Sequence, residues 1–303
     1  MMNLPLITIE NAPDLTPIAQ ARCGWITQVV WSPNGKALAV AGAAAVWLYS
    51  ADDLTLHGTL HGHVGPVKGV AVNHDGSQVA SASADTTVRI WDLAQGGEAT
   101  VLQGHTDAVN GVAFDSSGTM LVSCSADQTV RLWNALKGEI RSVFEGHGSE
   151  VTCVAFTPDL RIVSGGRDTT LRLWNTGNGD GILGAHDDWV RDVSVSLDGT
   201  RLASASKDGT AAVWTLDTLE QVLRPAAHTG GVDSVSFSPN TQVLATGGRD
   251  NQIKLWALAT GEQVAELHGH QKPVLSLAFS PDGTRLASAS GDNTIRLWAA
   301  SKT

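Results

Sequence analysis

The sequence predicts an all-β protein that repeats one small antiparallel sheet many times. From Gly104 to Trp133, apolar and polar residues alternate between short turns, a pattern typical of strand–turn–strand–turn–strand. This unit recurs, because equivalent aromatic residues follow one another at intervals of 40 to 42 residues. They are Tyr49, Trp91, Trp133, Trp174, Trp214, Trp256 and Trp298. A period of this length, with four strand-like runs per unit, is typical of the blades of a β-propeller.

The composition of the chain supports the all-β class and a single domain over residues 1–303. Hydrophobic residues make up 42% of the chain, which is enough for a large core, and glycine (32 residues), Ser and Thr are abundant between short apolar runs. The regular spacing leaves no room for a second domain. The formal charge of −10 argues against binding of nucleic acid, because phosphate contacts need a basic surface.

No segment of the sequence predicts export or membrane insertion. The N-terminus lacks a basic region followed by a long apolar run, and no stretch of about 18 apolar residues occurs. Cys23, Cys124 and Cys153 have strand-like contexts and no metal-ligand spacing, which favours reduced core thiols. We therefore expect a soluble, cytoplasmic monomer without a cofactor or a metal ion.

Most units share a set of motifs around the strand framework. A Gly-His pair is followed by a V-x-x-V/L strand, an SPDG-like turn and an ending similar to D-x-T-[VI]-R-L-W. The pairs are Gly62-His63, Gly104-His105, Gly146-His147 and Gly269-His270. Over about residues 14–300, these motifs resemble WD40 repeats, although the closing Asp survives only at Asp92. The resemblance implies a seven-bladed β-propeller with four antiparallel strands per blade.

The last unit is incomplete, because only Ala-Ala-Ser-Lys-Thr follows Trp298. The segment Leu6–Gln20 precedes the first unit and has no blade of its own. The resemblance implies that residues 6–20 supply the missing outer strand of the last blade. Such a strand closes the ring and removes the open edges that a linear sheet would expose.

The first unit departs from the pattern in a coordinated way. Arg22 replaces the His, Val40 replaces the Ser, and three alanines (43–45) replace the Asp turn. Tyr49 replaces the Trp, and Trp47 occupies the position that Arg131 holds in the third unit. A buried imidazole or carboxylate without its partner costs about 1–3 kcal/mol, so losing the whole set is safer than losing one member.

Each complete unit contains His, Ser or Thr, and Asp, which are the residue types of a nucleophilic triad. A hydrolase is disfavoured because the set occurs six times and because no Ser lies in a G-x-S-x-G motif. A metal site is also disfavoured, since equivalent histidines of radiating blades are far apart. The resemblance implies a buried hydrogen-bond network that pins the loops of each blade. Its members are His63, Ser81, Asp85, Trp91, His105, Ser123, Asp127, Trp133, His147, Ser164, Asp168, Trp174, His186, Ser204, Asp208, Trp214, His228, Thr246, Asp250, Trp256, His270, Ser288, Asp292 and Trp298.

Candidates for partner binding are residues that vary between units at the end of the ring that carries the Gly-His loops, here called the top face. Two kinds of position point toward the central channel: those beside the first Val of each unit and those before the hairpin Asp. The resemblance implies that residues at these positions contact partners. In blades 4 to 6 they form a basic crescent, defined as Arg167, Arg191, Lys207 and Arg249, around Trp189. Trp and Arg are enriched in binding hot spots. The full candidate set is Trp25, Lys68, Glu150, Arg167, Trp189, Arg191, Lys207 and Arg249.

A second interpretation of these residues remains open. Trp25 and Trp189 could pack against neighbouring loops, and the cations could be ordinary solvated charges. The opposite end of the ring, here called the bottom face, is predicted to be acidic, and the sequence does not decide which face is the main binding surface.

These observations predict a non-catalytic scaffold that binds a protein or peptide segment, with acidic groups, at the top face. One alternative is an enzyme or small-molecule-binding propeller that uses the central channel. Another is a regulatory module of a larger signalling system. A long loop over the channel or a non-repeating catalytic pair would favour the enzyme, and the sequence has neither.

Overall fold

Seven four-stranded antiparallel sheets make up the computed structural model, which describes residues 4–94, 100–175 and 181–300. The innermost strand of each sheet contacts the innermost strands of both neighbouring sheets, and the seventh sheet contacts the first. The sheets are therefore the blades of a ring, and the predicted all-β, seven-bladed fold is confirmed. The one helical element among the described residues is a 3-10 turn at Ala12–Asp14.

The strands are numbered in chain order, and four belong to each blade. Blade 1 contains β2 (Ile26–Trp31), β3 (Ala37–Gly42), β4 (Ala45–Ser50) and β5 (Leu56–His61); blade 2 contains β6 (Val67–Val72), β7 (Gln78–Ser83), β8 (Val88–Asp92) and β9 (Thr100–Leu102); blade 3 contains β10 (Val109–Phe114), β11 (Met120–Ser125), β12 (Thr129–Asn134) and β13 (Glu139–Glu145); blade 4 contains β14 (Val151–Phe156), β15 (Ile162–Gly166), β16 (Thr170–Trp174) and β17 (Gly181–Ala185). Blade 5 contains β18 (Val190–Val195), β19 (Arg201–Ser206), β20 (Ala211–Thr215) and β21 (Gln221–Leu223); blade 6 contains β22 (Val232–Phe237), β23 (Val243–Gly248), β24 (Ile253–Ala257) and β25 (Gln263–Leu267); blade 7 contains β26 (Val274–Phe279), β27 (Leu286–Ser290), β28 (Thr294–Ala300) and the N-terminal β1 (Leu15–Arg22).

The hydrophobic core is divided among the spaces between neighbouring blades. Between blades 3 and 4, for example, Leu132 and Phe144 pack with Ile162 and Trp174. Blades need this arrangement because strands with apolar residues on both faces of the sheet cannot bury them within one sheet. The core therefore depends on a complete ring.

A β-bulge interrupts the innermost strand of every blade directly after its first residue. In blade 3, Val109 pairs with Ser125 and Gly111 pairs with Cys124, so that Asn110 has no partner across the ladder. A bulge re-aims the extra side chain. The seven bulge residues are Thr27, Lys68, Asn110, Thr152, Arg191, Asp233 and Leu275.

The N-terminal segment closes the ring in two parts. β1 pairs antiparallel with β28, from Leu15 opposite Ala300 to Arg22 opposite Thr294. β1 therefore begins and ends later in the chain than the predicted segment, residues 6–20. It begins later because the preceding residues form a turn, in which the Thr8 backbone N–H donates to the Asn11 side chain (2.8 Å). These earlier residues pack against blades 6 and 7 instead, where Ile7 is fully buried.

Truncation of Ile7 tests whether this first part is structural. Ile7→Ala is expected to lower the free energy of unfolding by about 2–5 kcal/mol, because it leaves a cavity in the core between blades 6 and 7. Leu6→Ala is the matched control, since Leu6 is exposed, and it should cost less than about 1 kcal/mol. Urea unfolding measures both, and equal costs would contradict the buried position of Ile7.

Candidate protein-interaction surface

A hydrogen-bond relay connects the two top-face loops of each complete blade. In blade 3, the Trp133 indole N–H donates to Ser123 Oγ (2.8 Å), and Ser123 Oγ lies 2.7 Å from His105 Nε2. His105 Nδ1 lies 2.7 Å from Asp127 Oδ2, which also accepts the backbone N–H of Thr106 (3.1 Å). Asp127 thereby holds the Gly-His loop against its own hairpin. The polar residues expected in the relay are brought together in all six complete blades.

The protonation states of the relay fit a structural element. Burial lowers the pKa of His105, so the imidazole is neutral at pH 7. Burial also raises the pKa of Asp127, but hydrogen bonds from Thr129 and His105 outweigh it and bring the pKa to about 2. Ser123 is fully buried beneath the tryptophan. The arrangement therefore offers no accessible hydroxyl in this relay for nucleophilic attack.

Blade 1 replaces the relay with aromatic packing. Val40 is fully buried at the Ser position. The Trp47 ring lies against Gly42, where an added Cβ would come within 2.2 Å of it, and against Gly24. The Trp47 ring thus fills this space without an imidazole or a carboxylate, as the coordinated substitutions of the first unit suggest.

Blade 5 contains a substitution that sequence reasoning missed. In most blades the residue two positions before the closing tryptophan is Arg or Lys, but in blade 5 it is Ala212. Arg224, which follows the outer strand β21, donates instead to Asp208 (2.9 Å) and to Asp187 (2.6 Å). The missing cation at Ala212 was the signal, but the compensating residue lies elsewhere in the blade, after the outer strand β21.

The bulge residues link neighbouring blades around the channel. Thr27 Oγ1 donates to the Val67 carbonyl (2.8 Å), and Thr152 Oγ1 donates to the Val190 carbonyl (2.6 Å). All seven bulge residues line one polar cavity of about 140 Å³. The linked pairs in order are Thr27–Val67, Lys68–Asn110, Asn110–Val151, Thr152–Val190 and Arg191–Asp233. Lys68 and Arg191, two of the candidate binding residues, thus lie in the channel wall and engage neighbouring blades.

Trp189 lies against two cations at the top face. The Arg167 guanidinium and the Lys207 ammonium each lie 4.3 Å from its ring centroid. Cations this close to an indole face are attracted by the ring quadrupole. Glu150 pairs with Arg167 (3.0 Å), and Asp188 pairs with Lys207 (3.1 Å). We call Arg167, Trp189 and Lys207 the Trp189 clamp.

The basic crescent is largely neutralised by nearby carboxylates. Asp233 pairs with Arg191 and lies 2.7 Å from Arg249 Nε, although that contact is not aligned as a hydrogen bond. The four cations thus face three carboxylates, those of Glu150, Asp188 and Asp233. The sequence could not reveal this balance, because the pairs join different loops or blades.

Asp192 is a further carboxylate that sequence reasoning missed. It lines the channel cavity and accepts hydrogen bonds across the seam between blades 5 and 6, from Ser234 Oγ (2.7 Å) and the Val235 N–H (3.1 Å). Burial raises its pKa to about 6. It belongs to the channel wall rather than to the exposed crescent.

The top face of blades 1 to 3 has a different character. Trp25 is 47% exposed, Val64 is 91% exposed, and Pro66, which follows Val64 closely in the chain, is also exposed. In blade 3, Ala108 precedes the first Val of the unit and Ala126 precedes the hairpin Asp. We call Trp25, Val64 and Pro66 the apolar rim. The candidate residues therefore divide between this rim, the channel wall and the Trp189 clamp with its ion partners, while Arg249 lies apart from these groups and contacts Asp233.

Among the residues that the structure describes, no three His, Cys, Asp or Glu side chains lie close enough to hold a metal ion. Nor does this part of the chain contain a helix of the length and hydropathy required to cross a membrane.

Comparisons with known proteins confirm the resemblance to WD40 repeats. The family model described as "WD domain, G-beta repeat" matches residues 54–92, 96–134, 138–175, 180–215, 219–257 and 261–299. The chain is 37% identical over 228 residues to "Small ribosomal subunit protein RACK1" of Caenorhabditis elegans, covering 69% of this chain and 70% of that protein. It is 38% identical to RACK1 of Drosophila melanogaster, covering 64% and 65%. A shorter match, 44% identical over 66 residues and covering 19% of this chain and 21% of the relative, is to "Protein transport protein sec13" of Emericella nidulans.

Removal of one relay carboxylate tests the structural role of the network. Asp127→Ala is expected to lower the free energy of unfolding by about 2–4 kcal/mol, because it leaves His105 and the loop N–H groups without an acceptor. Asp107→Ala removes an exposed carboxylate from the same face and should cost less than about 1 kcal/mol. Thermal and urea unfolding measure the difference, and a wild-type stability for Asp127→Ala would refute the role.

Acidification is expected to destabilise the fold from about pH 6.5 downward. Burial lowers the pKa of all six relay histidines, so the unfolded chain takes up protons first and the free energy of unfolding falls. Asp192 acts in the opposite direction, because its raised pKa restores stability as the pH falls from about 6 to about 4. Urea midpoints between about pH 8 and pH 5 should therefore fall more steeply in Asp192→Asn than in the wild type. A midpoint that rises with acid in Asp192→Asn would contradict neutral relay histidines.

Proposed function

The chain belongs to the WD40-repeat family, and from that premise we propose that it is a non-catalytic scaffold that binds a protein or peptide segment at the top face. The observation that carries the proposal is the Trp189 clamp. The partly exposed Trp189 indole is held in one orientation by its contacts with two cations, so little conformational entropy remains to be lost on binding. Trp and Arg are also the residue types that dominate binding hot spots.

The proposed partner combines an apolar side chain with a carboxylate. The apolar rim at blades 1 and 2 fits the first, since Trp25 and Val64 are exposed. The crescent fits the second, because the Arg249 contact with Asp233 is poorly aligned. A partner carboxylate at Arg249 gains a charge-assisted hydrogen bond that Asp233 does not supply.

The geometry favours this proposal over an enzyme or a small-molecule site in the channel. The channel cavity of about 140 Å³ is well below the roughly 300–1,000 Å³ typical of ligand pockets. Several of its polar side chains also link neighbouring blades. Relatives named as a ribosomal-subunit protein and a transport protein support the further proposal that this chain works inside a larger protein assembly. That the chain is a cytoplasmic monomer remains a proposal from the sequence.

Quantitative affinity capture from a native lysate tests the proposed face. The Trp189→Ala/Arg249→Glu variant should lose its protein partners at least about tenfold relative to the wild type, because it removes the anchor and reverses the least-satisfied cation. Leu197→Ala/Lys36→Glu is the matched control, since it makes the same kinds of change at exposed bottom-face residues. Equal recovery of partners with both variants would show that the top face is not the binding surface.

A further inference from the structure

Leu160 has a backbone conformation that leucine rarely adopts. It lies in the inner hairpin turn of blade 4 with φ of 66°, in the left-handed region. Five other blades place glycine at this turn position, with φ between 67° and 75°: Gly35, Gly76, Gly118, Gly199 and Gly283. Strained residues persist where a function or the surrounding structure requires them.

Core burial does not explain this leucine, because its side chain is 48% exposed. At equivalent turns an added Cβ would face the preceding blade, since Gly199 lies against Pro158 and Gly283 lies against Pro239. Leu160 likewise extends toward blade 3. There it lines a groove of about 340 Å³ together with Met120, Leu132, Arg141, Ser142 and Phe156.

The groove exists because of particular side chains on the outer strand of blade 3. Phe144 fills the space between blades 3 and 4, with its ring 5.5 Å from that of Trp174. Ser142, two residues earlier and opposite Leu132, is too small to continue this packing toward the bottom face. The wall next to Ser142 is therefore open, with the apolar side chains of Met120, Phe156 and Leu160 around it.

The backbone of the outer strand β13 is also available for hydrogen bonding. β13 is hydrogen-bonded to β12 on one side, and no described strand pairs with its other edge. Its exposed Ile140 and Val143 stand on a strand of seven residues, longer than the outer strands of blades 2, 4, 5 and 6 as described. An unpaired edge of this kind can accept an extended chain.

Arg141 gives the groove a charge preference. It lines the groove and is exposed, and it has no ion pair or hydrogen bond within residues 4–94, 100–175 and 181–300. Arg161, one residue beyond Leu160, differs because it is paired with Asp159 (2.7 Å). The unpaired cation beside an apolar groove is complementary to a carboxylate next to an apolar side chain.

We propose that the groove between blades 3 and 4 binds an extended segment of a partner protein, which lies along β13, inserts one large apolar side chain between Phe156 and Leu160, and places a carboxylate at Arg141. This site is independent of the top-face proposal, because it opens toward the bottom face. The chain thus has two surfaces that can hold different segments at the same time.

The probe is a displayed library of peptides of about ten residues, each with one Leu, Ile or Phe and one Asp or Glu at varied spacing. Selected peptides are synthesised with a fluorophore, and their affinities are measured by anisotropy. We expect Leu160→Gly to weaken binding at least about tenfold while the melting temperature stays at or above that of the wild type, since glycine suits the left-handed turn. Arg141→Glu should weaken binding to a similar degree.

Thr241→Gly is the matched control, because Thr241 has φ of 55° at the same turn position of blade 6. It should keep the affinity of the wild type. Trp189→Ala/Arg249→Glu should also bind the selected peptides normally, which separates this site from the top face. The proposal is overturned if no peptide is enriched, if Leu160→Gly binds as the wild type does, or if the top-face variant is the one that loses binding. Concentration-dependent self-association that Leu160→Gly abolishes would also overturn it, by assigning the groove to a second copy of the chain.

Discussion

Pairing between β1 and β28 is the interaction on which the rest of the structure depends. Each blade has apolar residues on both faces and can bury them only against neighbours, so the core exists only when blade 7 meets blade 1 as a complete sheet. The N-terminal segment does this with residues distant in sequence from the blade that it completes, and Ile7 adds an anchor between blades 6 and 7. Closure in this form also covers an edge that would otherwise pair with other chains.

A closed ring still leaves the loops to be fixed, and the buried relay serves that purpose. Asp127 is an example, because one carboxylate accepts from a histidine, from the Gly-His loop and from its own hairpin. Because six blades repeat this arrangement, the top face has a rigid frame whose polar groups hydrogen-bond to one another. Residues between the pinned positions are then free to vary, so distinct chemistry arises only at sites such as Trp189.

Sequence reasoning was sufficient for features that repeat and insufficient for contacts that only one blade makes. The aromatic spacing predicted the number of blades, and the joint loss of His, Ser and Asp correctly marked blade 1 as exceptional. The pairing of Arg249 with Asp233 and the substitution of Arg224 for a missing cation could not be predicted by comparing equivalent positions of the repeats, because each contact joins two separate segments of one blade. Leu160 shows the same limit: the sequence shows a leucine in place of glycine, but only the structure shows its conformation and exposure.

The two proposed surfaces use cations in different ways, and the difference has a physical consequence. At the Trp189 clamp, Glu150 and Asp188 already neutralise Arg167 and Lys207, so an acidic partner must displace or share an existing ion pair. The net electrostatic gain there is small, and specificity rests on the shape of the clamped indole and the apolar rim. At the blade 3–4 groove, Arg141 has no ion pair among the described residues, so a partner carboxylate gains the whole interaction. Binding at the groove should therefore depend more strongly on salt than binding at the top face, since exposed unpaired charges are the ones that ions screen.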